Sequence, residues 1–323
     1  MAAHHNSSSM DSEMLEDSQA TFVTISDSQS TSATMMESQS TSATSIANSQ
    51  SDSEDDYESD SEDFPYSTQE LATMFEEFYQ VLTTLHFESS ELRLAPPGGW
   101  PHMTDEFLAN FKSPEAMDVV RHLPYFHSSK NIHYKSKLID FSSKSHEYFV
   151  SRHNDHDWRA EFYDGDDTVD PAHAFCFAAG FESYGREFTL DVKNGTIIED
   201  MIRAQIIDPV DVSQFLSRLA EDFRSLRLLY CPGREMLETD RVDEVDEIIT
   251  EEQWRTQSRN EHRHFGTDLD IQYLRQVYRK HGWPDAFRKE ECWRTVGALM
   301  DSIEGEGDVW EEDAHWEDAE DWE

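Results

Sequence analysis

Phe188-Thr189-Leu190-Asp191-Val192-Lys193-Asn194-Gly195-Thr196-Ile197-Ile198 decides how the middle of this chain folds. Phe188, Leu190 and Val192 alternate with polar residues, the period of a strand with one face on a core. Asn194-Gly195 then precedes a second β-branched run. Asn-Gly between two such runs is the strongest short hairpin signal, because a two-residue turn needs positive φ at both positions. A β-hairpin over 186–198 is predicted.

Working outward, Leu138 with Asp140, Tyr148-Phe149-Val150, and Phe175 with Phe177 show period two and predict half-buried strands. Helical spacing flanks them. Ser67-Thr68-Gln69-Glu70 is a capping box ahead of the stripe Leu71, Met74, Phe75, Phe78, Leu82 and Leu85. A turn at 95–101 leads to a short helix around 113–123. After Pro209, Phe215, Leu219, Phe223 and Leu226 face one way. Residues 240–252 read as an acidic linker or exposed helix. Ile271, Leu274, Val277 and Tyr278 mark a helix stopped by Gly282 and Pro284. Phe287, Trp293, Val296 and Met300 mark the last. The predicted class is α+β: one domain at 64–302, with a small, mainly antiparallel sheet at about 135–201 between N- and C-terminal helices.

Charge separates this domain from its ends. Residues 1–63 hold 14 Asp/Glu and residues 301–323 hold 12, with no Lys or Arg in either segment. Such segments cannot offset the entropy of ordering, so 1–63 and 303–323 read as disordered acidic tails. Direct nucleic-acid binding is excluded by the shortage of cations to neutralise phosphates. The tails favour basic protein surfaces instead. No apolar run reaches bilayer length, and the N-terminus lacks the basic and apolar regions of a signal peptide. With three scattered cysteines, Cys176, Cys231 and Cys292, the expectation is an intracellular chain, in cytoplasm or nucleus.

Chemistry is harder to find. His133, His146, His153 and His156 cluster with Asp155 and Asp157, ligand types for zinc or iron. A metal-dependent hydrolase using His133, His153, His156 and Asp157 is the alternative function. The segment lies between strand signals, however, and reads first as a solvated loop. Asp164-Gly165-Asp166-Asp167 lacks the alternating acids and closing Glu of a calcium loop. Neither a nucleophile elbow nor a phosphate loop is present. No catalytic residue, cofactor or metal ligand is assigned.

The tails carry sharper signals. Ser51, Ser53, Ser59 and Ser61 precede acidic residues, the pattern read by acidophilic kinases, and phosphorylation there adds charge and acceptors. Ser18, Ser28, Ser38 and Ser49 each precede Gln, within a repeat (28–34 recurs as 38–44). Trp310, Trp316 and Trp322 recur every six residues among acids, and exposed Trp is usually buried by a partner. Glu320-Asp321-Trp322-Glu323 resembles tryptophan-acidic peptides that dock on helical-repeat adaptors.

Gly98-Gly99-Trp100-Pro101-His102-Met103-Thr104 and Val119-Val120-Arg121-His122-Leu123-Pro124-Tyr125 together resemble a widespread group of uncharacterised fungal proteins. The run 172–180 followed by 188–198 is similar to the core strands of SUKH-type (Smi/Knr-like) domains. It departs from that pattern at Phe181-Glu182-Ser183-Tyr184-Gly185, where a Gly-rich turn is expected. The resemblance covers roughly 95–230 and implies an α+β binding module without catalytic residues. The expected function is intracellular protein–protein interaction, regulatory or scaffolding, tuned by phosphorylation of the N-terminal tail.

Overall fold

The computed structural model describes residues 64–108, 111–128, 130–153, 169–231, 236–258 and 266–303. The chain divides into two units, Met1–Ser59 and Asp60–Glu323, and every described residue belongs to the second. From the N-terminal side the elements are α1 (Thr68–Leu85), β1 (Leu92–Arg93), α2 (Pro114–His122), β2 (Tyr125–Phe126), β3 (Asn131–His133) and β4 (Ser136–Leu138). Then come α3 (His146–His153), β5 (Ala174–Gly180), β6 (Arg186–Asp191), β7 (Thr196–Met201), β8 (Gln205–Asp211) and α4 (Val212–Arg224). The last described elements are β9 (Leu228–Leu229), β10 (Leu237–Glu238), α5 (Glu251–Ser258), α6 (Asp268–Lys280) and α7 (Lys289–Ile303). The class is α+β. Strands β3 to β8 form one antiparallel meander in chain order. Among the described residues no helix is long and apolar enough to cross a membrane.

The capping box forms as read. Ser67 Oγ accepts from Glu70 N–H at 3.3 Å, and Glu70 Oε2 accepts from Ser67 N–H at 2.8 Å. From that start α1 presents Leu71, Phe75, Phe78, Leu82 and Leu85 to the core. Asp211 caps α4 by accepting from the N–H groups of Ser213 and Gln214. Both helices cover the same sheet face. Phe75 meets Phe177 edge-on, 5.1 Å between centroids, and Phe215 meets Phe188 in the same way. Such pairs add about 0.5–1.5 kcal/mol each beyond the area they bury. The C-terminal helices join this core where Trp283 Nε1–H donates to Arg224 O at 2.8 Å and Tyr278 O–H donates to Tyr230 O.

Four local readings change. The hairpin forms, but its loop is Val192-Lys193-Asn194-Gly195, and within it only Gly195 has positive φ, +64°. Asp191 explains the longer loop: its carboxylate accepts from both the backbone and the side-chain N–H of Asn194, closing the turn. Second, Tyr148-Phe149-Val150 is helical, within α3. Its burial runs half-buried, buried, exposed, a rotation about an axis and not an alternation. Third, the sheet runs over 131–211, since 205–211 is strand β8. Pro209 is tolerated there because β8 is an edge strand, where a missing N–H costs no ladder bond. Fourth, 240–250 forms neither helix nor free linker, as described below.

Residues 98–104 and 119–125 pack on each other. Trp100 donates its backbone N–H to Arg121 O and its indole N–H to Leu123 O, both at 3.0 Å. Arg121 Nε–H donates to Met103 O at 2.7 Å. Gly99 sits beneath Arg121 with φ of +83°, and a Cβ there would lie 2.5 Å from Arg121 Cγ. Gly99→Ala is therefore expected to cost more than about 1 kcal/mol, from the left-handed backbone and the displaced arginine together. Chemical denaturation checks this. A Gly98→Ala control, with equally positive φ but open space around it, should lose less.

Candidate functional site

Two polar assemblies stand out, one inside the sheet end and one along α6. In the first, the inward face of β6 and β7 turns from apolar to ionic. Phe188 pairs across the ladder with Glu199, and Arg186 lies two residues before Phe188 on the same face. Arg186 donates from Nε and Nη2 to the two oxygens of Glu238 on β10, each at 2.9 Å, and Nη1 lies 3.0 Å from Glu199 Oε1. Arg218 on α4 stands 3.6 Å from the other Glu199 oxygen. His133 on β3 closes the group, with Nδ1 3.1 Å from Glu238 Oε1 and 2.9 Å from Tyr134 N. That nitrogen cannot both donate to the carboxylate and accept from the amide. A protonated Nδ1 engages Glu238, and a bare one engages Tyr134 N–H.

Burial alone would raise the Glu238 carboxyl. The hydrogen bonds and charges of His133 and Arg186 outweigh it and hold the group at about 2. Desolvation alone would lower the Arg186 guanidinium, but the hydrogen bonds and charge of Glu238, with the charges of Glu199 and Asp240, raise it. A carboxylate so held stays ionised at neutral pH and makes a poor general acid or base. A guanidinium across both carboxylates also stands where a metal cation would need to be.

The hydrolase reading needs His133, His153, His156 and Asp157 in one place. His133 is committed to the Glu238 group, His153 is the last residue of α3, and His156 and Asp157 lie outside the described residues. His146 has Nδ1 2.8 Å from Phe107 O. Among the described residues no three His, Cys, Asp or Glu side chains converge to hold a metal. All three cysteines are free thiols, and burial pushes the Cys292 thiol up to about 12, well away from nucleophilic character. A shallow depression of about 550 Å³ lies between α5, α6 and α7, lined by Glu251, Arg255, His281, Glu291 and Arg294. Its charges are mixed: Arg255 bonds Glu251 and Glu291 bonds Arg288.

The second assembly is a strap. Residues 240–250 pass through a turn at 240–241, where Val242 N–H donates to Thr239 O, and then run in irregular, bent conformation along α6. Gln272, Arg275, Gln276 and Arg279, one stripe of α6 at helical spacing, grip it. Gln272 donates to Asp243 O, and Arg275 Nη1 to Val242 O at 2.6 Å. Gln276 donates to Glu247 O at 2.8 Å and accepts from Ile249 N–H at 3.1 Å, and Arg279 forks onto Glu244. Arg275 is almost wholly buried and also donates to Thr239 O and Oγ1. Arg275→Met is expected to cost about 2–4 kcal/mol, because carbonyls desolvated by the fold lose their donors. Amide exchange in 240–250 should rise with it, and unchanged protection there would contradict the clamp.

Gripped in this way, the strap displays its apolar side chains outward. Ile248 is 79% exposed and Val245 50%, the former the most exposed large hydrophobic side chain among the described residues. Asp240, Asp243, Asp246 and Glu247 are exposed beside them and make no ion pair with a described residue. Sequence reasoning passed over this surface because acidity at 240–252 masked the two aliphatics. The available signal was the polar stripe at 272, 275, 276 and 279, on the helix side away from Leu274 and Val277. The tail features assigned from sequence, Trp310, Trp316, Trp322 and Ser18, Ser28, Ser38, Ser49, Ser51, Ser53, Ser59 and Ser61, lie outside the described residues.

No family model, curated protein or solved structure matches this chain.

Proposed function

We propose that this chain is a protein-interaction module, regulatory or scaffolding in role, whose N-terminal segment is tuned by phosphorylation at the acidic serines. The observation that carries this reading is the strap. Val245 and Ile248 are held out to solvent on backbone that α6 fixes from behind. Neighbouring exposed aliphatics on ordered backbone offer apolar area that a partner can cover. The likeness to SUKH-type domains supports the same reading, as does the recurrence of Trp310, Trp316 and Trp322 among acids. Buried charge also fits, since Arg186 and Arg275 are engaged within the fold and leave recognition to the surface.

The test compares the full chain with Trp316→Ala/Trp322→Ala in affinity purification with quantitative mass spectrometry, mapping phosphosites in the same material. Partners enriched over a control chain are expected, at least one of them lost in the double variant. No enrichment with either protein would overturn the module reading. Identical partner sets would sink the role of the Trp residues alone.

A further inference from the structure

Resting on that reading, we propose that the 240–250 strap docks a cationic segment of another protein, one carrying aliphatic or aromatic side chains between its Lys or Arg residues. The partner's chemistry follows from the surface it must match. Asp240, Asp243, Asp246 and Glu247 follow one another along the strap, through the turn at 240–241 and the bends at 242 and 246–247, with Arg241 the exposed cation among them. Their net negative charge matches a basic segment, and it repels phosphate backbones and anionic lipid.

Val245 and Ile248 distinguish the strap from a merely solvated acidic run. The other exposed large hydrophobics, Leu94, Val150 and Tyr184, stand singly on separate elements, whereas these two are three residues apart on one strap. They supply apolar area beside Asp246 and Glu247, where aliphatic groups of a partner would be desolvated. The α6 grip matters energetically, since ordered backbone leaves little conformational entropy to lose on docking. The alternative route, strand addition at the β8 edge, is obstructed by Asp208, Pro209 and Asp211 on that strand.

The experiment uses the full chain and two short synthetic peptides, one alternating Lys and Leu and one alternating Lys and Gly, with binding read by fluorescence anisotropy. Asp243→Asn/Asp246→Asn/Glu247→Gln removes strap charge, and Val245→Ser/Ile248→Ser removes the aliphatics. All five side chains are exposed, so the fold should persist, checked by circular dichroism. The Lys–Leu peptide is expected to bind the parent chain, more weakly as salt rises, and to protect amides of 240–250 from exchange. The charge variant should weaken it about tenfold. The aliphatic variant should weaken it severalfold while leaving the Lys–Gly peptide unaffected.

If both variants bind as the parent does, the acidic ends carry the binding and the strap inference fails, while the interaction reading stands. Equal affinity for the two peptides, unmoved by the aliphatic variant, would reduce the strap to counterion attraction and overturn the inference. If the parent binds neither peptide the inference fails outright, and the interaction reading is then judged by the purification above.

Discussion

Arg186→Met should lower the unfolding free energy by about 3–5 kcal/mol, the usual cost of removing one partner from a buried charge group. The expected signature is a lower urea midpoint at unchanged m-value. The reason lies in what remains. Among the described residues Arg186 is the one side chain that ion-pairs with both Glu199 and Glu238, and all three are largely buried. Without it, two carboxylates share a desolvated sheet end with His133 and a half-exposed Arg218. Arg186→Lys keeps the charge but cannot fork onto Glu238 while reaching Glu199, so an intermediate loss is expected. Adding Glu199→Gln and Glu238→Gln to Arg186→Met should recover part of the loss, because the repelling charges go with their partner. A loss below about 1 kcal/mol for Arg186→Met would mean that the group is solvated and contributes little.

The same group shapes acid stability. Glu238 is held at about 2 in the folded chain against an ordinary 4.5, so the unfolded chain takes up its proton first as pH falls. The stabilisation from this carboxylate is complete above pH 4.5 and is lost between 4.5 and about 2. In Arg186→Met the carboxyl keeps His133 but loses the guanidinium, and this part of the acid limb should become shallower. Urea titrations at steps from pH 6 to 3 would show it.

Most of the architecture could be read from residues with strong local signals. The Ser67 capping box and its stripe gave α1 to the residue, and Asn194-Gly195 placed the β6–β7 connection. Failures arose where local and tertiary preferences part. Tyr148-Phe149-Val150 is too short a run to separate strand from helix, and its β-branched and aromatic residues favoured the wrong one. Ending the sheet at about 201 missed β8, because nothing local says that a strand containing Pro209 will lie at a sheet edge. The polar assemblies were beyond local reach. Arg186 and Glu238 are 52 residues apart, and Arg275 meets Thr239 across 36. No spacing rule links such positions, so buried arginines looked like surface ones. His133 was singled out, but for a metal set that the described residues do not assemble around it.

His86→Leu should make the protein more stable, by about 1–3 kcal/mol at neutral pH, the cost commonly attached to a buried polar group without a partner. His86 is the C-cap residue of α1 and is 1% exposed. Its ring lies 5.0 Å from Trp283, 5.1 Å from Phe223 and 5.2 Å from Tyr230, and neither ring nitrogen has a hydrogen-bond partner among the described residues. Burial first, and the nearby Lys289 charge second, depress this imidazole from 6.5 to about 3. Lys289 is fixed where it is by donating to Thr83 O and Phe87 O at the end of α1. Between pH 6.5 and about 3 the unfolded chain therefore binds a proton that the folded chain refuses. Full stability is present above 6.5, and the parent chain loses about 1.4 kcal/mol for each pH unit below it. Leu fills a similar volume without the titration, so its advantage should be about 2 kcal/mol wider at pH 5 than at pH 8. His86→Ala separates the two effects: it removes the same titration but leaves a cavity, and should be less stable than His86→Leu at every pH. An advantage for Leu that stays constant with pH would show that the imidazole titrates in the folded chain, and no advantage at all would show that its nitrogens are satisfied.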